Sequence, residues 1–199
     1  LIDLGHNVIQ VRIDSLEKSF NLKKNTPQFR SKFSEYLLDF VKTENQNQNI
    51  NLFFSYLMDC NIYPDVISEI KKIGIPTANF SCNNIHQFYL TEQIAPFFDF
   101  NLHAEKDAKL MFENIGANSI WFPMAANPKY YHKIDTPFKY DVSFIGSEYA
   151  KRSNYIGNLL NNDIDVNVFG PGWGKKNNFK NIYKASKMLF SSNSQKQAS

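Results

Sequence analysis

Apolar positions along the chain change period repeatedly, and each change marks an element. Phe29, Phe33, Tyr36, Leu37, Phe40 and Val41 recur at helical spacing and predict a helix over 28–43. Ile50 to Leu57 is instead a continuous apolar run of strand length, the pattern of a parallel strand covered on both faces. The next helix, over 64–73, opens at Pro64, where a missing N–H costs nothing, and closes at Gly74. Ile75 to Phe80, Phe97 to Leu102 and Ser119 to Pro123 read as further strands. Between them lie a short helix or loop over 85–94 and a helix over 106–114 closed by Gly116. At the start, Leu1 to Gly5 reads as the last turn of a helix, and Val8, Ile9, Val11 and Ile13 as the apolar side of a strand over Asn7–Ile13. Ser15 to Thr26 reads as polar and irregular. This opening implies that an earlier strand and most of its helix precede Leu1.

The rhythm breaks over Asn127 to Pro137, which holds two prolines and no apolar period and reads as a linker. It then restarts. Tyr140 to Ile145 is a predicted strand, Tyr149 to Leu160 a helix, Asp165 to Phe169 a strand and Gly170 to Gly174 a glycine-rich turn. A short helix over Asn181–Lys187 and a strand over Met188–Phe190 complete the pattern, and Ser191 to Ser199 has no apolar period. Strands alternating with helices across short connections mean βαβ units on parallel sheets, an α/β fold. The expected organisation is a Rossmann-like domain over 1–127 lacking its first strand, a linker over 128–139, and the beginning of a second such domain over 140–199.

Of the 199 residues, 43% are hydrophobic and 21% charged, enough apolar content for packed interiors. No run approaches the roughly 18 uncharged apolar residues of a membrane-spanning helix. The net charge of +3 is spread among interleaved acids and bases, which argues against a nucleic-acid partner. Two cysteines, Cys60 and Cys82, build neither a disulfide framework nor a zinc cluster, and no metal site is expected. A reduced, cytoplasmic setting follows from that cysteine usage.

In open α/β sheets ligands bind beyond the carboxyl ends of the strands, so the loops leaving strands are the candidates for chemistry. Gly146-Ser147 follows a strand and precedes a helix. Glycine there lets backbone approach a phosphate, the helix start offers free N–H groups, and Arg152 could grip a diphosphate with two hydrogen bonds. The competing reading is a plain turn with Ser147 as a helix cap and Arg152 on the solvent face. In Gly170-Pro171-Gly172-Trp173-Gly174, Trp173 could pack beneath a site, stack on a ring, or serve as a core anchor. In the loop Ser81 to His86, His86 is the candidate general base, with a solvent-facing structural role as its alternative, and His103 ranks second. Asn83, Asn84 and Asn127 lie in loops on the same side and are the candidate acceptor contacts. Glu105 and Asp107 read as an acidic first turn of a helix. No nucleophile elbow, Walker loop or zinc-protease motif is present.

Several segments together resemble the CgeB-type (spore maturation protein-like) glycosyltransferases. They are Tyr140 to Ser147, then Arg152, then Val168 to Trp173, together with Gly5 to Val8, Trp121 to Pro128 and Ile182 to Leu189. The resemblance implies a GT-B pair of Rossmann-like domains, the acceptor side first and the nucleotide-sugar side second. It implies transfer of a sugar from a nucleotide diphosphate sugar to a glycan or other acceptor, with no cofactor beyond that co-substrate and no metal. Gly146, Ser147 and Arg152 would lie beside the diphosphate and the loop after Trp173 near the nucleoside, with Gly172 and Trp173 also among the donor-binding residues. The family tends to carry acids where this chain has Asn83-Asn84, and its acidic donor-binding stretch would fall beyond residue 199. The alternative class is a non-catalytic nucleotide- or sugar-binding module of the same fold.

Overall fold

The computed structural model describes residues 1–173, and the helix and strand expected over 181–190 lie outside them. The chain divides after Tyr130 into two compact units, each of them mixed α/β around a parallel sheet.

The first unit begins with a single 3₁₀ turn, Ile2–Leu4. The strand expected over Asn7–Ile13 does not form: Arg12 is extended, but Ile13 already starts helix α1, Ile13–Phe20. Ser15 to Thr26 is therefore helical as far as Phe20 and irregular beyond it. Ile13, Leu16 and Phe20 recur at i, i+3 and i+7, and this narrow stripe packs on the core together with Val11 and Leu22. Asn21, left-handed at φ 53°, ends the helix with its N–H turned back on α1 carbonyls.

Helix α2, Pro27–Asn47, has the start its sequence encodes: Pro27 sits in the first turn, and the Thr26 hydroxyl accepts the Phe29 N–H at 3.2 Å. Phe29, Phe33, Leu37 and Val41, four residues apart, are all buried. At about 1.5–3 kcal/mol per side chain, this stripe contributes at most about 6–12 kcal/mol. It meets Val66, Ile67 and Ile70 of α3, Pro64–Lys72. Arg30 Nε donates to the Ile62 carbonyl at 3.0 Å and the Tyr63 N–H to Ser34 Oγ at 3.0 Å, which tie α2 to the start of α3.

Strands β1 (Phe53–Ser55), β2 (Thr77–Ser81), β3 (Phe100–His103) and β4 (Ser119–Trp121) form a parallel sheet in sequence order. α3 connects β1 to β2, α4 (Asn84–Gln87) lies between β2 and β3, and α5 (Lys109–Asn114) precedes β4. Crossovers of one hand that always advance in one direction leave every connection on the same face. The other face is open: Leu52, Phe54, Tyr56, Phe100, Ile120 and Phe122 are each 40% to 53% exposed. The Ile50–Leu57 run is therefore covered on one face only, because β1 is an edge strand and no helix among the described residues lies across its second face.

The covered face is polar. Ser55, Asn79, Asn101 and Ser119 fall in register across the four strands. Asn79 Oδ1 accepts the Leu57 N–H at 2.9 Å and the Ser55 hydroxyl at 2.8 Å, and Nδ2 donates to the Leu57 carbonyl at 3.0 Å. One side-chain amide thus extends the β1–β2 ladder by a step beyond β1. Asn101 Nδ2 donates to the Ala95 carbonyl at 2.8 Å. At the amino end of β2, the Asp99 carboxylate accepts the Thr77 N–H at 2.8 Å and pairs with Lys71 at 2.8 Å.

The second unit is one βαβ turn: β5 (Ser143–Ile145), α6 (Arg152–Asn161) and β6 (Asn167–Phe169), with β5 and β6 paired in parallel. Ile156, Leu160, Val166 and Val168 are its core, with Phe144, Leu159 and Trp173 packed against them. The helix expected from Tyr149 starts at Arg152, because Ala150 is left-handed at φ 52° and keeps the preceding residues out of it.

Candidate functional site

In the second unit the loops that leave β5 and β6 run side by side. The Gly146 N–H donates to the Phe169 carbonyl at 2.8 Å and the Glu148 N–H to the Pro171 carbonyl at 2.9 Å, so the strand pairing continues into the loops. The approach is close enough that a Cβ on Gly170 would lie 2.2 Å from the Gly146 carbonyl oxygen. Trp173 Nε1 donates to that oxygen at 2.7 Å, and its ring meets Phe144 edge-on with centroids 5.7 Å apart. Of the readings open for Trp173, the structure bears out the core anchor: the ring packs on Phe144 and the Ile156, Leu160, Val166 and Val168 cluster while its N–H holds the loop.

Arg152 is the first residue of α6, nearer the loop than a full turn into the helix would have put it. Its Nη1 donates to the Ser147 carbonyl at 3.0 Å, and its guanidinium lies 5.8 Å from the Phe144 ring centroid and 6.0 Å from that of Tyr149. Lys151, not Ser147, occupies the helix cap position, and it makes no side-chain cap bond. Gly146, Ser147, Arg152, Gly172 and Trp173 are thereby gathered at the carboxyl ends of two paired parallel strands. Lys151 and Arg152 set two cations against the one carboxylate of Glu148 in this loop. A helix start, a guanidinium edge without a hydrogen-bond partner among the described residues and a backbone without side chains at Gly146 can together receive an anionic group.

No protein-family model, curated protein or solved structure matches this chain.

The acceptor-side candidates lie in the first unit. His86 is exposed in α4, at the carboxyl end of β2, with no side-chain hydrogen bond among the described residues. Asn83 is exposed and left-handed at φ 57°. Asn84 turns the other way: it is 1% exposed, and its Nδ2 donates to Ser81 Oγ at 2.7 Å, so its carboxamide serves the interior. Asn127 Oδ1 accepts the Lys129 N–H at 3.0 Å, a local turn in the exposed stretch after β4. His103 is fully buried, with Nδ1 2.8 Å from the Glu105 carbonyl and its ring stacked on Phe112. The Glu105 carboxylate accepts the Ile85 N–H at 2.8 Å and so caps α4 from the cap position of its own 3₁₀ turn, where Asp107 is the acidic first-turn residue as expected.

Other titratable groups near these strand ends are also engaged. Asp59 receives the N–H groups of Gln93 and Ile94 at 3.1 and 3.0 Å, and burial pushes its carboxyl above the usual carboxylate range against their pull. Burial likewise pushes the Cys60 thiol up, away from a reactive thiolate. Tyr56 OH and Cys82 Sγ lie 3.2 Å apart, and that hydrogen bond, with burial, raises the Tyr56 phenol. No group of three or more metal-ligating side chains occurs among the described residues. No described helix is long and apolar enough to cross a membrane. Sequence reasoning missed the buried polar row. Its signal was there to read: polar Thr77, Asn79 and Ser81 alternate with Ala78 and Phe80 inside a strand.

Proposed function

We propose that the chain is part of a glycosyltransferase that moves a sugar from a nucleotide diphosphate sugar to a hydroxyl of a glycan or other acceptor. One observation carries the reading: residues separated in sequence, 146–152 and 172–173, converge on a single loop pair at the carboxyl ends of β5 and β6, with Arg152 held over the loop. That is where an α/β sheet binds nucleotides. The resemblance to CgeB-type enzymes supplies the class of reaction.

In this reading Gly146 lets the loop backbone approach the diphosphate. Arg152 and the start of α6 stabilise the negative charge that grows on it as the glycosidic bond to the donor breaks. Trp173 fixes the loop by bonding the Gly146 carbonyl. On the acceptor side, His86 takes the proton of the attacking hydroxyl, and Asn83 and Asn127 border that hydroxyl. Asn84 supports the turn from within.

The test is a calorimetric titration of UDP, GDP and their sugar conjugates into the chain and its Arg152→Ala variant. One nucleotide series should bind, and the variant should weaken it by about 1.5–3 kcal/mol, the worth of a hydrogen bond to a charged group. Binding that Arg152→Ala leaves unchanged would remove the donor site from this loop. A second reading, a non-catalytic binding module of the same fold, draws on the environment of His86. A general base is ordinarily oriented by a third group, and His86 has no such side-chain partner among the described residues. Transfer or hydrolysis of a bound nucleotide sugar would rule that reading out.

A further inference from the structure

Three buried polar atoms in the first unit, Asn84 Oδ1, His103 Nε2 and Ser119 Oγ, have no hydrogen-bond partner among the described residues. The first two belong to neighbouring strand ends, whereas Ser119 opens β4, in register with Asn101. His103 closes β3 opposite Ser81 of β2 in the register, about 4.8 Å away across the ladder. Asn84 is anchored to that same Ser81 through Nδ2 at 2.7 Å. Glu105 joins both sides: its carbonyl meets His103 Nδ1 at 2.8 Å, and its carboxylate accepts the Ile85 N–H at 2.8 Å. Ser81, Asn84, Ile85, Glu105 and His103 thus form a closed circuit of contacts to which both of these orphaned side chains belong.

The chemistry of the orphans is determined by their neighbours. A carbonyl can only accept, so His103 Nδ1 carries the proton and Nε2 presents a lone pair. Asn84 gives its amide hydrogen to Ser81 Oγ, which identifies Oδ1 as a carbonyl acceptor. Ser81 Oγ accepts that bond and still has its own proton to give. Two acceptors and one donor are the complement of a single water molecule, which gives two hydrogens and accepts one.

We propose that Ser81, Asn84 and His103 hold one long-lived internal water at the carboxyl ends of β2 and β3. Three hydrogen bonds are the usual complement of such a water, and burying the two acceptors without them would be costly. The water completes the support of the 83–87 turn, because Asn84 is the side chain by which that turn is fastened to the sheet. It is a positioning element for the exposed residues Asn83 and His86. The inference stands on the buried polar groups alone and does not depend on the function proposed for the chain.

The experiment is nuclear magnetic resonance on the labelled full chain. Long-range proton–nitrogen correlations should show the Nδ1–H tautomer of His103. Water-selective Overhauser spectra should show a slowly exchanging water at the His103 Hε1 proton and the Asn84 side-chain amide. In His103→Phe, which keeps a ring against Phe112, and independently in Asn84→Ala, the water signal should vanish. The Ile85 amide should then exchange roughly tenfold faster, the equivalent of about one buried hydrogen bond. Finding the Nε2–H tautomer would overturn the proposal, since the ring could then donate directly to an acceptor. So would the absence of a long-lived water from the folded wild-type chain, or unchanged Ile85 exchange in both variants.

Discussion

Replacing Gly170 by alanine tests the loop pair most directly. The new Cβ would sit 2.2 Å from the Gly146 carbonyl oxygen and 2.6 Å from its carbon, at a backbone φ of 136°. Backbone blocks it on that side, so one loop must retreat by about 1 Å to reach ordinary contact. That movement strains three hydrogen bonds: Gly146 N–H to Phe169 at 2.8 Å, Glu148 N–H to Pro171 at 2.9 Å, and Trp173 Nε1 to Gly146 at 2.7 Å. At about 1 kcal/mol each, with a further 1–3 kcal/mol for the backbone conformation, the loss is about 4 kcal/mol or more. Gly172→Ala is the matched control: its φ is 94°, but the nearest atom is a side-chain carbon of Glu148 at 3.0 Å, and the cost should be about 1–2 kcal/mol. Urea unfolding followed by Trp173 fluorescence, in a Trp121→Phe background, reads the second unit alone. Equal destabilisation by the two substitutions would refute the reasoning, because it would leave nothing for the backbone contact to explain.

Asp99 and Asp59 should make acid stability slope in opposite directions. Desolvation raises the Asp99 carboxyl, but Lys71 and the Thr77 N–H and O–H outweigh it and hold it below its ordinary value. Its contribution is therefore present above about pH 3.9 and lost as the pH falls through the lower folded value, so Asp99→Asn should flatten melting temperature against pH in that acid range. Asp59, pushed up by burial, contributes fully below about pH 3.9 and loses that contribution as the pH rises through its folded value. Asp59→Asn should remove this decline, and an unchanged profile would refute the assignment. Asn79→Ala leaves the Leu57 N–H and carbonyl without partners and should cost about 2–6 kcal/mol in urea unfolding; a loss below about 1 kcal/mol would show that the amide does not extend the ladder.

Much of the local architecture was legible before any coordinates. Pro64, Gly74 and Gly116 punctuate helices as read, since a missing N–H or a positive φ acts within a turn of chain. Residues 7–20 were misread for a local reason. Val8, Ile9, Val11 and Ile13 alternate well enough to suggest a strand, while Ile13, Leu16 and Phe20 also satisfy a helix, and a short pattern cannot choose between them. Packing of Leu16 and Phe20 on the core decided it.

Read alone, the sequence carries most of the strand–helix alternation beyond residue 27, the helix stops at Gly74 and Gly116, and the residues that could handle an anion or a proton. Those properties depend on neighbours within about four positions. Only the tertiary structure decided which way each side chain faces. Asn84 turns inward to Ser81 while Asn83 beside it stays exposed, and Trp173 gives its N–H to a residue 27 positions away. The polar row of Ser55, Asn79, Asn101 and Ser119, and the apolar face left open behind it, follow from strand order and register. Register pairs residues distant in sequence, and a one-residue shift would exchange the two faces.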